Sequence, residues 1–281
     1  MRWLVGFAAA LMIALSMAWF SPAPLINGIF WQPTNDYPQP QGHWHWIGAD
    51  TLVVQWGLND NLTWVPSDAF QSQPTQPDWD ALTQEPWAEQ LILGLASRMS
   101  LEDARRDWAL MADQGIRLLD TKVLPVTVDG YYAPIEFSPD WQAQEAWKAY
   151  LEAIPSPRYV SVYGGYEMTA ATFADWVASW LPDDTTVLYQ DGVGVGQLTP
   201  SATRARADAL AQRLGAERVV IVLEAFQPDE QHGVRTASLR QLIQQLRAYR
   251  GYPIYVFSAR HLATHQVALL RLLSPWLKDR S

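Results

Sequence analysis

The sequence predicts an α/β fold: a single (β/α)8 TIM barrel preceded by an N-terminal signal or anchor segment. Eight short apolar runs alternate with helix-like stretches, as this barrel requires. The 281 residues lie near the ~250 typical of the fold. Hydrophobic residues make up 49% of the chain and charged residues only 17%, which favours a packed core. We therefore divide the chain into a segment 1–23 and a barrel domain 24–281.

The N-terminal segment predicts export. Arg2 is followed by an uninterrupted apolar run from Trp3 to Phe20, and small residues and prolines follow in 21–24. A basic start before an apolar run is typical of a signal peptide, but this run is also near membrane-spanning length. Because Arg2 favours a cytoplasmic N-terminus, a cleaved signal and an uncleaved anchor both export the barrel. We predict a periplasmic protein, either soluble or tethered to the inner membrane, that meets the membrane only through this segment.

The eight predicted strands are rich in Val, Ile, Leu and Tyr, as parallel strands buried on both faces are. They cover Gly28–Gln32, Thr51–Trp56, Leu91–Ala96, Gly130–Glu136, Tyr159–Tyr163, Thr186–Gln190, Arg218–Glu224 and Ile254–Ser258.

The predicted helices are clearest in the second half of the chain. Thr169 precedes an apolar stripe at helical spacing, and Thr199 opens a helix that Gly215 closes. Ser138 before Pro139 predicts another helix start. By contrast, 33–49 and 57–89 are rich in Pro, Gln, Asp and Trp and predict no strong helix. After the first two strands of a barrel, such long loops would wall the catalytic face.

Two glutamates, Glu136 and Glu224, end the fourth and seventh predicted strands. Since a TIM barrel collects its active site at the C-terminal ends of the strands, they would face each other across the mouth. Two carboxylates about 5 Å apart are what a retaining glycosidase uses. The alternative is that each glutamate is held by a backbone amide or by Arg218, Arg235 or Arg260.

A third acidic candidate, Asp191, follows the sixth strand within a glycine-rich loop. It could act as the acid, hold a sugar hydroxyl, or hold Glu224. Glutamine amides bind sugar hydroxyls and aromatic faces stack on sugar rings, so such residues near the strand ends are predicted to bind substrate. These residues are Trp31, Gln32, Gln55, Trp56, Tyr132, Tyr163, Gln190 and Phe226. Most of the 15 tryptophans are nevertheless expected to pack helices against the barrel.

Composition argues against several other functions. The chain has no cysteine, which excludes disulfides and thiolate chemistry. A net charge of −9 without a basic stripe argues against nucleic acid. The five histidines form no metal-binding motif, and the glycine-rich loop does not match a dinucleotide fingerprint. We predict no metal and no cofactor.

Several segments resemble, in the right order, an uncharacterised bacterial TIM-barrel family grouped with the clan A glycoside hydrolases. The segments are Gly28–Pro33, Gly48–Trp56, Gly130–Glu136, Gln190–Gly194 and Glu224–Phe226. The resemblance implies a (β/α)8 fold and a connection to polysaccharides. It also implies that Glu136 is the acid/base and Glu224 the nucleophile. The chain departs from clan A enzymes at Ile135, where they commonly carry Asn.

The leading hypothesis is therefore an exported retaining glycosidase that acts on a polysaccharide or oligosaccharide. Glu136 would protonate the leaving oxygen while Glu224 attacks the anomeric carbon, with Asp191 and nearby aromatic residues positioning the sugar. The main alternative is a non-catalytic glycan-binding barrel that assists exopolysaccharide assembly or export. A weaker alternative is an esterase or lyase on the same scaffold.

Overall fold

The computed structural model describes residues 24–120, 126–229, 231 and 233–277. The predicted signal or anchor segment, 1–23, lies outside the described residues. No helix in the part of the chain that is described is long and apolar enough to cross a membrane.

Eight parallel strands close into a barrel, which confirms the predicted fold class. The strands are β1 Gly28–Trp31, β2 Thr51–Val54, β3 Gln90–Gly94, β4 Gly130–Phe137, β5 Arg158–Val162, β6 Thr185–Gln190, β7 Val219–Glu224 and β8 Ile254–Phe257. Each boundary lies within two residues of the predicted one. The first and last strands pair in parallel, with Gly28 opposite Tyr255, and this pairing closes the cylinder.

Helices surround the barrel on its outer side. They are α1 Trp79–Leu82, α2 Leu101–Arg106, α3 Trp108–Leu119, α4 Gln144–Ala153, α5 Ala170–Ala178, α6 Pro200–Leu214, α7 Leu239–Ala248 and α8 Thr264–Leu277. Side-chain oxygens cap several helix starts: Thr169 accepts from the Thr172 amide, and Thr199 from the Ala202 amide. These two starts were predicted correctly.

One predicted helix start is wrong. Helix α4 begins at Gln144 rather than after Ser138. The Ser138 hydroxyl hydrogen-bonds to Asp140 instead, and it accepts a hydrogen bond from Arg105 at 2.7 Å. Ser138 is thus occupied by side-chain partners and does not cap a helix.

The first half of the chain carries little helix, as predicted. A 3₁₀ helix, Trp44–Ile47, follows β1, and the single turn α1 is the only α-helix among the described residues between β2 and β3. A small four-stranded sheet, not predicted, lies in this region. From one edge of this sheet to the other, its strands are Gln71–Ser72, Leu62–Thr63, Leu58–Asn59 and Ala96–Ser97. The predicted third strand is therefore split, since Gly94 ends its barrel part and Ala96 belongs to the small sheet.

The core has two parts. A large cluster fills the layer between strands and helices and includes the fully buried Trp31, Trp44, Trp87 and Trp180. A smaller cluster fills the inside of the barrel with Phe30, Val53, Ile92, Tyr132, Leu188, Val220, Val222 and Tyr255. The barrel is thus packed along its axis by these side chains, and an active site would lie beyond them, at the C-terminal ends of the strands.

Candidate active site

The strands β4 and β7 deliver Glu136 and Glu224 to one cavity. The cavity has a volume of about 440 Å³, in the usual range for small-molecule sites. Its other lining residues are Tyr163, Tyr166, Gln190, Val195, Gln197, Val222, Phe226 and Phe257. Two carboxyl groups, two amides and several aromatic rings therefore surround the same space.

A β-bulge positions Glu136 at the mouth. The pairing of β4 with β5 runs from Ala133 opposite Val160 directly to Phe137 opposite Val162. Four residue steps on β4 thus match two on β5. Pro134 lies inside this interval and has no amide hydrogen for the ladder, which is where a bulge in an interior strand is expected.

Glu224 is 5% exposed and is held by the loop after β6. The Val195 amide donates to its Oε2 at 3.0 Å. Gly194 lies so close that an added Cβ would be 2.6 Å from the Glu224 Cβ. Burial and, secondarily, the nearby charge of Asp191 raise the pKa of Glu224 to about 8, while the Val195 and Gly194 amides oppose this shift.

Glu136 accepts a hydrogen bond from a side-chain amide, whereas Glu224 accepts one from the backbone. Burial raises the pKa of Glu136 above its usual range, and a hydrogen bond from Gln190 and the charge of Arg105 oppose this rise. The Gln190 Nε2 donates to Glu136 Oε1 at 3.2 Å. Arg105 itself donates to Asp140 at 2.8 and 3.1 Å, so it does not form an ion pair with Glu136.

The arginines considered as alternative partners lie elsewhere. Arg218 donates to the carbonyl oxygens of Pro182 and Thr185. Arg260 donates to Thr34 and Asp36. Arg235 faces the side chain of Gln227. Of the alternative contacts, only the backbone amide occurs, at Glu224.

Asp191 is fully buried and does not line the cavity of the two glutamates. Gln245 of α7 and Tyr249, the residue that follows α7, donate to its Oδ2 at 2.7 and 2.8 Å. The amides of Val193 and Glu224 donate to its Oδ1 at 3.1 and 3.4 Å. Burial raises the pKa of Asp191 to about 6, and these hydrogen bonds oppose the rise. Of the roles considered from the sequence, holding Glu224 is the one that this geometry fits, because the Asp191 carboxylate is buried outside the cavity and accepts from the Glu224 amide.

The predicted substrate-binding residues fall into three groups. Tyr163, Gln190 and Phe226 line the cavity of the two glutamates. A second cavity, of about 240 Å³, is lined by Gln32, Gln55, Trp56 and also Glu136. Trp31 and Tyr132 line neither.

The burial of Trp31 and Tyr132 follows from strand geometry. Trp31 points into the helix layer, where its Nε1 donates to the Tyr37 carbonyl. Tyr132 lies inside the barrel below Glu136, and its hydroxyl is 2.6 Å from the Ser161 hydroxyl. Successive side chains of a strand alternate between the two faces, so proximity to a strand end does not ensure a place in the cavity.

Sequence reasoning missed Tyr166, Val195, Gln197, Val222 and Phe257 as lining residues. Tyr166 follows two glycines with φ of +74° and +57°, which make a tight turn after β5. That glycine pair was a usable signal for a loop folded back over the mouth. Among the described residues, no three His, Cys, Asp or Glu side chains cluster as metal ligands.

No protein-family model matches the chain, and no curated protein matches it in sequence. The fold is similar to a structure from Bacteroides thetaiotaomicron VPI-5482 that was provisionally named an alpha-L-fucosidase. The TM-score is 0.63, with 15% identity over 89% of this chain and 91% of that chain. At this identity the similarity shows the barrel fold alone.

Two further solved structures are more distantly similar. One is the PgaB (BpsB) glycoside hydrolase domain from Bordetella bronchiseptica, with a TM-score of 0.47 and 12% identity over 83% of this chain and 90% of that one. The other is a chitinase from Chromobacterium violaceum ATCC 12472, with a TM-score of 0.49 and 11% identity over 90% of this chain and 100% of that one. At TM-scores below 0.5, these two similarities carry no argument about the fold or function of this chain.

Proposed function

We propose that this protein is a retaining glycoside hydrolase that cleaves a polysaccharide or oligosaccharide. The observation that carries the proposal is the shared cavity of Glu136 and Glu224 at the C-terminal ends of β4 and β7. A retaining glycosidase needs two carboxyl groups flanking one sugar, one as acid/base and one as nucleophile. The barrel fold is also one on which sugar hydrolysis is built, which is consistent with the proposal.

Glu136 is assigned as the acid/base. Burial raises its pKa, so it can keep its proton until the glycosidic oxygen leaves. As the bond between the anomeric carbon and that oxygen breaks, Glu136 gives its proton to the oxygen. In the second step Glu136 takes a proton from the water that hydrolyses the glycosyl-enzyme.

Glu224 is assigned as the nucleophile. Its Oε2 accepts a hydrogen bond from Val195, which favours the carboxylate form and fixes its orientation. One carboxylate oxygen then bonds to the anomeric carbon. Burial, then the charge of Asp191 and, to a smaller extent, that of Glu136 raise the pKa of Glu224 to about 8. Two interacting carboxyl groups favour a state with a single proton, and the proposed reaction starts from the form that carries this proton on Glu136.

The cavity walls suit a sugar ring. Tyr163, Tyr166, Phe226 and Phe257 present aromatic surface, and Gln190 and Gln197 present amides. Rings and amides together bind the C–H faces and hydroxyl groups of a sugar. Asp191 serves as a positioning residue that fixes the end of β7 through the Glu224 amide.

Two classes of substrate test these roles. A panel of 2,4-dinitrophenyl glycosides carries a leaving group that departs without protonation, whereas unsubstituted oligosaccharides need the acid. Glu224→Gln should lower kcat/KM by about 10³-fold or more on both classes. Glu136→Gln should lower it by about 10²-fold or more on oligosaccharides and far less on dinitrophenyl glycosides.

The exposed Glu152→Gln on α4 is the matched control and should keep wild-type kinetics. Full activity of Glu224→Gln would refute the proposed nucleophile. Binding of oligosaccharides by the wild-type protein with no cleavage would favour the glycan-binding alternative.

We further propose that segment 1–23 exports this activity to the periplasm. The support is the basic start and apolar run of the sequence. Cell fractionation of the full chain, with 24–281 as the control, would check it. Recovery of the full chain in the cytoplasm would contradict export.

A further inference from the structure

A second cavity shares Glu136 with the cavity of the two glutamates. Its volume is about 240 Å³, and it is formed by residues after β1 and β2, by Pro134 of β4, and by the segment Ser97–Leu101. Glu136 lines both cavities, whereas Glu224 lines only the larger one. The proposed acid/base, Glu136, therefore contacts both cavities, and the proposed nucleophile, Glu224, contacts only the larger one.

If the glutamates act as proposed, this arrangement determines which cavity holds each of the two sugars joined by the scissile bond. In retention the nucleophile contacts only the sugar that forms the glycosyl-enzyme, while the acid/base contacts the oxygen that joins this sugar to the leaving group. We propose that the second cavity is a subsite for an uncharged leaving-group sugar, so that the enzyme cleaves between two sugar units of a neutral glycan. The inference rests on the proposed function and adds its substrate class.

Gln55 is the first observation that points to a ligand. It is 5% exposed and lines the second cavity. Its side chain is hydrogen-bonded to the Tyr132 hydroxyl, but its Oε1 has no partner among the described residues. A buried acceptor without a partner costs free energy, and a sugar hydroxyl that donates to it would remove that cost.

Gln32 and Trp56 complete a surface suited to a sugar. The half-buried Gln32 forms no side-chain hydrogen bond with the described part of the chain and lines the same cavity. The Trp56 Nε1 donates to the Pro33 carbonyl at 3.2 Å, which fixes the indole ring at the cavity wall. The Gln55 Oε1, the Gln32 amide and one fixed aromatic ring match the hydroxyls and the C–H face of a sugar.

The charge of the second cavity explains the choice of a neutral sugar. Arg98 is its one basic lining residue among the described residues, and its guanidinium is already engaged. Its Nη1 donates to two carbonyl oxygens and its Nη2 donates to Gln114 at 2.9 Å. Its Nε lies 4.0 and 3.7 Å from the carboxylates of Asp60 and Asp107. A carboxylate on the leaving-group sugar would thus meet a cation that is already balanced, with Glu136 close by.

The test compares two substrates of one sugar: a 2,4-dinitrophenyl monosaccharide and an unsubstituted trisaccharide. The readout is the ratio of their kcat/KM values. Gln55→Met should lower the ratio of trisaccharide to aryl glycoside about tenfold, because only the trisaccharide places a sugar in the second cavity. Gln32→Met, at a half-buried position where folding is less at risk, should lower the same ratio in the same direction. Gln197→Met in the larger cavity should lower both activities and leave the ratio near that of the wild type.

The outcomes separate this inference from the proposed function. A ratio that stays at the wild-type value in both Gln55→Met and Gln32→Met would overturn the subsite, even if the Glu136 and Glu224 variants behave as expected. A wild-type preference for trisaccharides with an acidic leaving-group sugar would overturn the neutral assignment. If no substrate is cleaved, calorimetry on Glu224→Gln replaces kinetics. Trisaccharides should then bind more tightly than monosaccharides, and Gln55→Met should reduce that difference; an unchanged difference would overturn the subsite independently of catalysis.

Discussion

Glu224 is a carboxyl group whose surroundings oppose its charged form. Its pKa is raised from 4.5 to about 8. A raised carboxyl pKa gives stability that is fully present below about pH 4.5 and is lost as the pH rises through about 8. Glu224→Gln should therefore unfold less readily than the wild type at pH 8, by an amount on the order of a few kcal/mol, because one pKa unit corresponds to about 1.36 kcal/mol.

Chemical denaturation of both proteins at pH 5, 7 and 8.5 would measure this difference. The advantage of Glu224→Gln should grow across the series, and the exposed Glu152→Gln should show no such growth. A variant that is equally stable at all three values would contradict the raised pKa. A gain in stability would also show that the site trades stability for function.

The same pKa sets the pH dependence of catalysis. A nucleophile must be ionised, so kcat/KM should fall as the pH decreases through the Glu224 pKa. The acid limb of the profile should thus lie nearer neutrality than the ~4.3 of an ordinary glutamate. The charge of Glu136 contributes to the raised pKa. With a dinitrophenyl substrate, Glu136→Gln should consequently move this limb to lower pH, and a limb that stays in place would contradict the coupling.

At the scale of one element, the loop between β6 and α6 depends on Gly194. A Cβ at this position would lie 2.8 Å from Glu224 Oε2 and 3.0 Å from the Phe226 carbonyl oxygen. Gly194→Ala should push the loop away from Glu224 and lower kcat/KM by about tenfold or more, while the protein stays folded. Gly196→Ala is the control, since φ is +75° but no atom lies within 4 Å of the added Cβ. It should cost about 1 kcal/mol of stability and leave kinetics nearly unchanged.

Hydrogen bonds from Gln245 of α7 and from Tyr249, the next residue after the helix, hold the Asp191 carboxylate. Tyr249→Phe removes a 2.8 Å hydrogen bond to a fully buried carboxylate, and we expect a loss of about 1 to 3 kcal/mol. This bond lowers the pKa of Asp191, so its removal should cost more at pH 8 than at pH 5, where Asp191 is largely protonated. Tyr252→Phe removes a bond to the less buried Asp208 and serves as control. Thermal denaturation at both pH values would measure the loss of stability in each variant. Equal losses for Tyr249→Phe and Tyr252→Phe would contradict a special role for the hydrogen bond to Asp191.

The strands were predictable because parallel strands buried on both faces are continuous apolar runs, bounded here by Gly, Pro and polar residues. Because these runs are continuously apolar, the sequence does not indicate which side chains face the barrel axis and which face the helices. Phe30 and Gln32 face the barrel axis and Trp31 faces the helices, but an all-apolar run carries no period that reveals this. The small sheet could not be foreseen either, since strands of two residues, such as Leu58–Asn59, show no alternation.

The candidate site was predictable in part. Charged residues at the ends of apolar runs identified Glu136 and Glu224, because a buried carboxylate is costly without a role. Asp191 carried the same signal, yet both side-chain donors to its carboxylate, Gln245 and Tyr249, lie more than fifty residues further along the chain. Sequence alone gives no such long-range partner, so it could not separate a group that contacts a ligand from one that holds another residue in place.

The whole molecule depends on the closure between its first and last strands. Strand β1 pairs with β2 on one side and β8 on the other, and it carries the buried Ile29, Phe30 and Trp31. Its removal would leave two strand edges unpaired. Burying each of these side chains contributes about 1.5 to 3 kcal/mol, so their sum is comparable with the ~5 to 15 kcal/mol that stabilises a typical domain.

Two truncated chains test this closure. The chain 24–281 should unfold in one cooperative transition at the midpoint of the full chain, because it contains all eight strands of the closed barrel. The chain 33–281, which lacks β1, should show no cooperative transition by circular dichroism. Residue 24 also enters at the N-terminal end of β1, opposite the mouth that holds Glu136 and Glu224, so 24–281 should keep the kcat/KM of the full chain on soluble substrates. A large loss of activity in 24–281 would show that the segment 1–23 contributes to the site, and a cooperative transition in 33–281 would show that the barrel does not need its first strand.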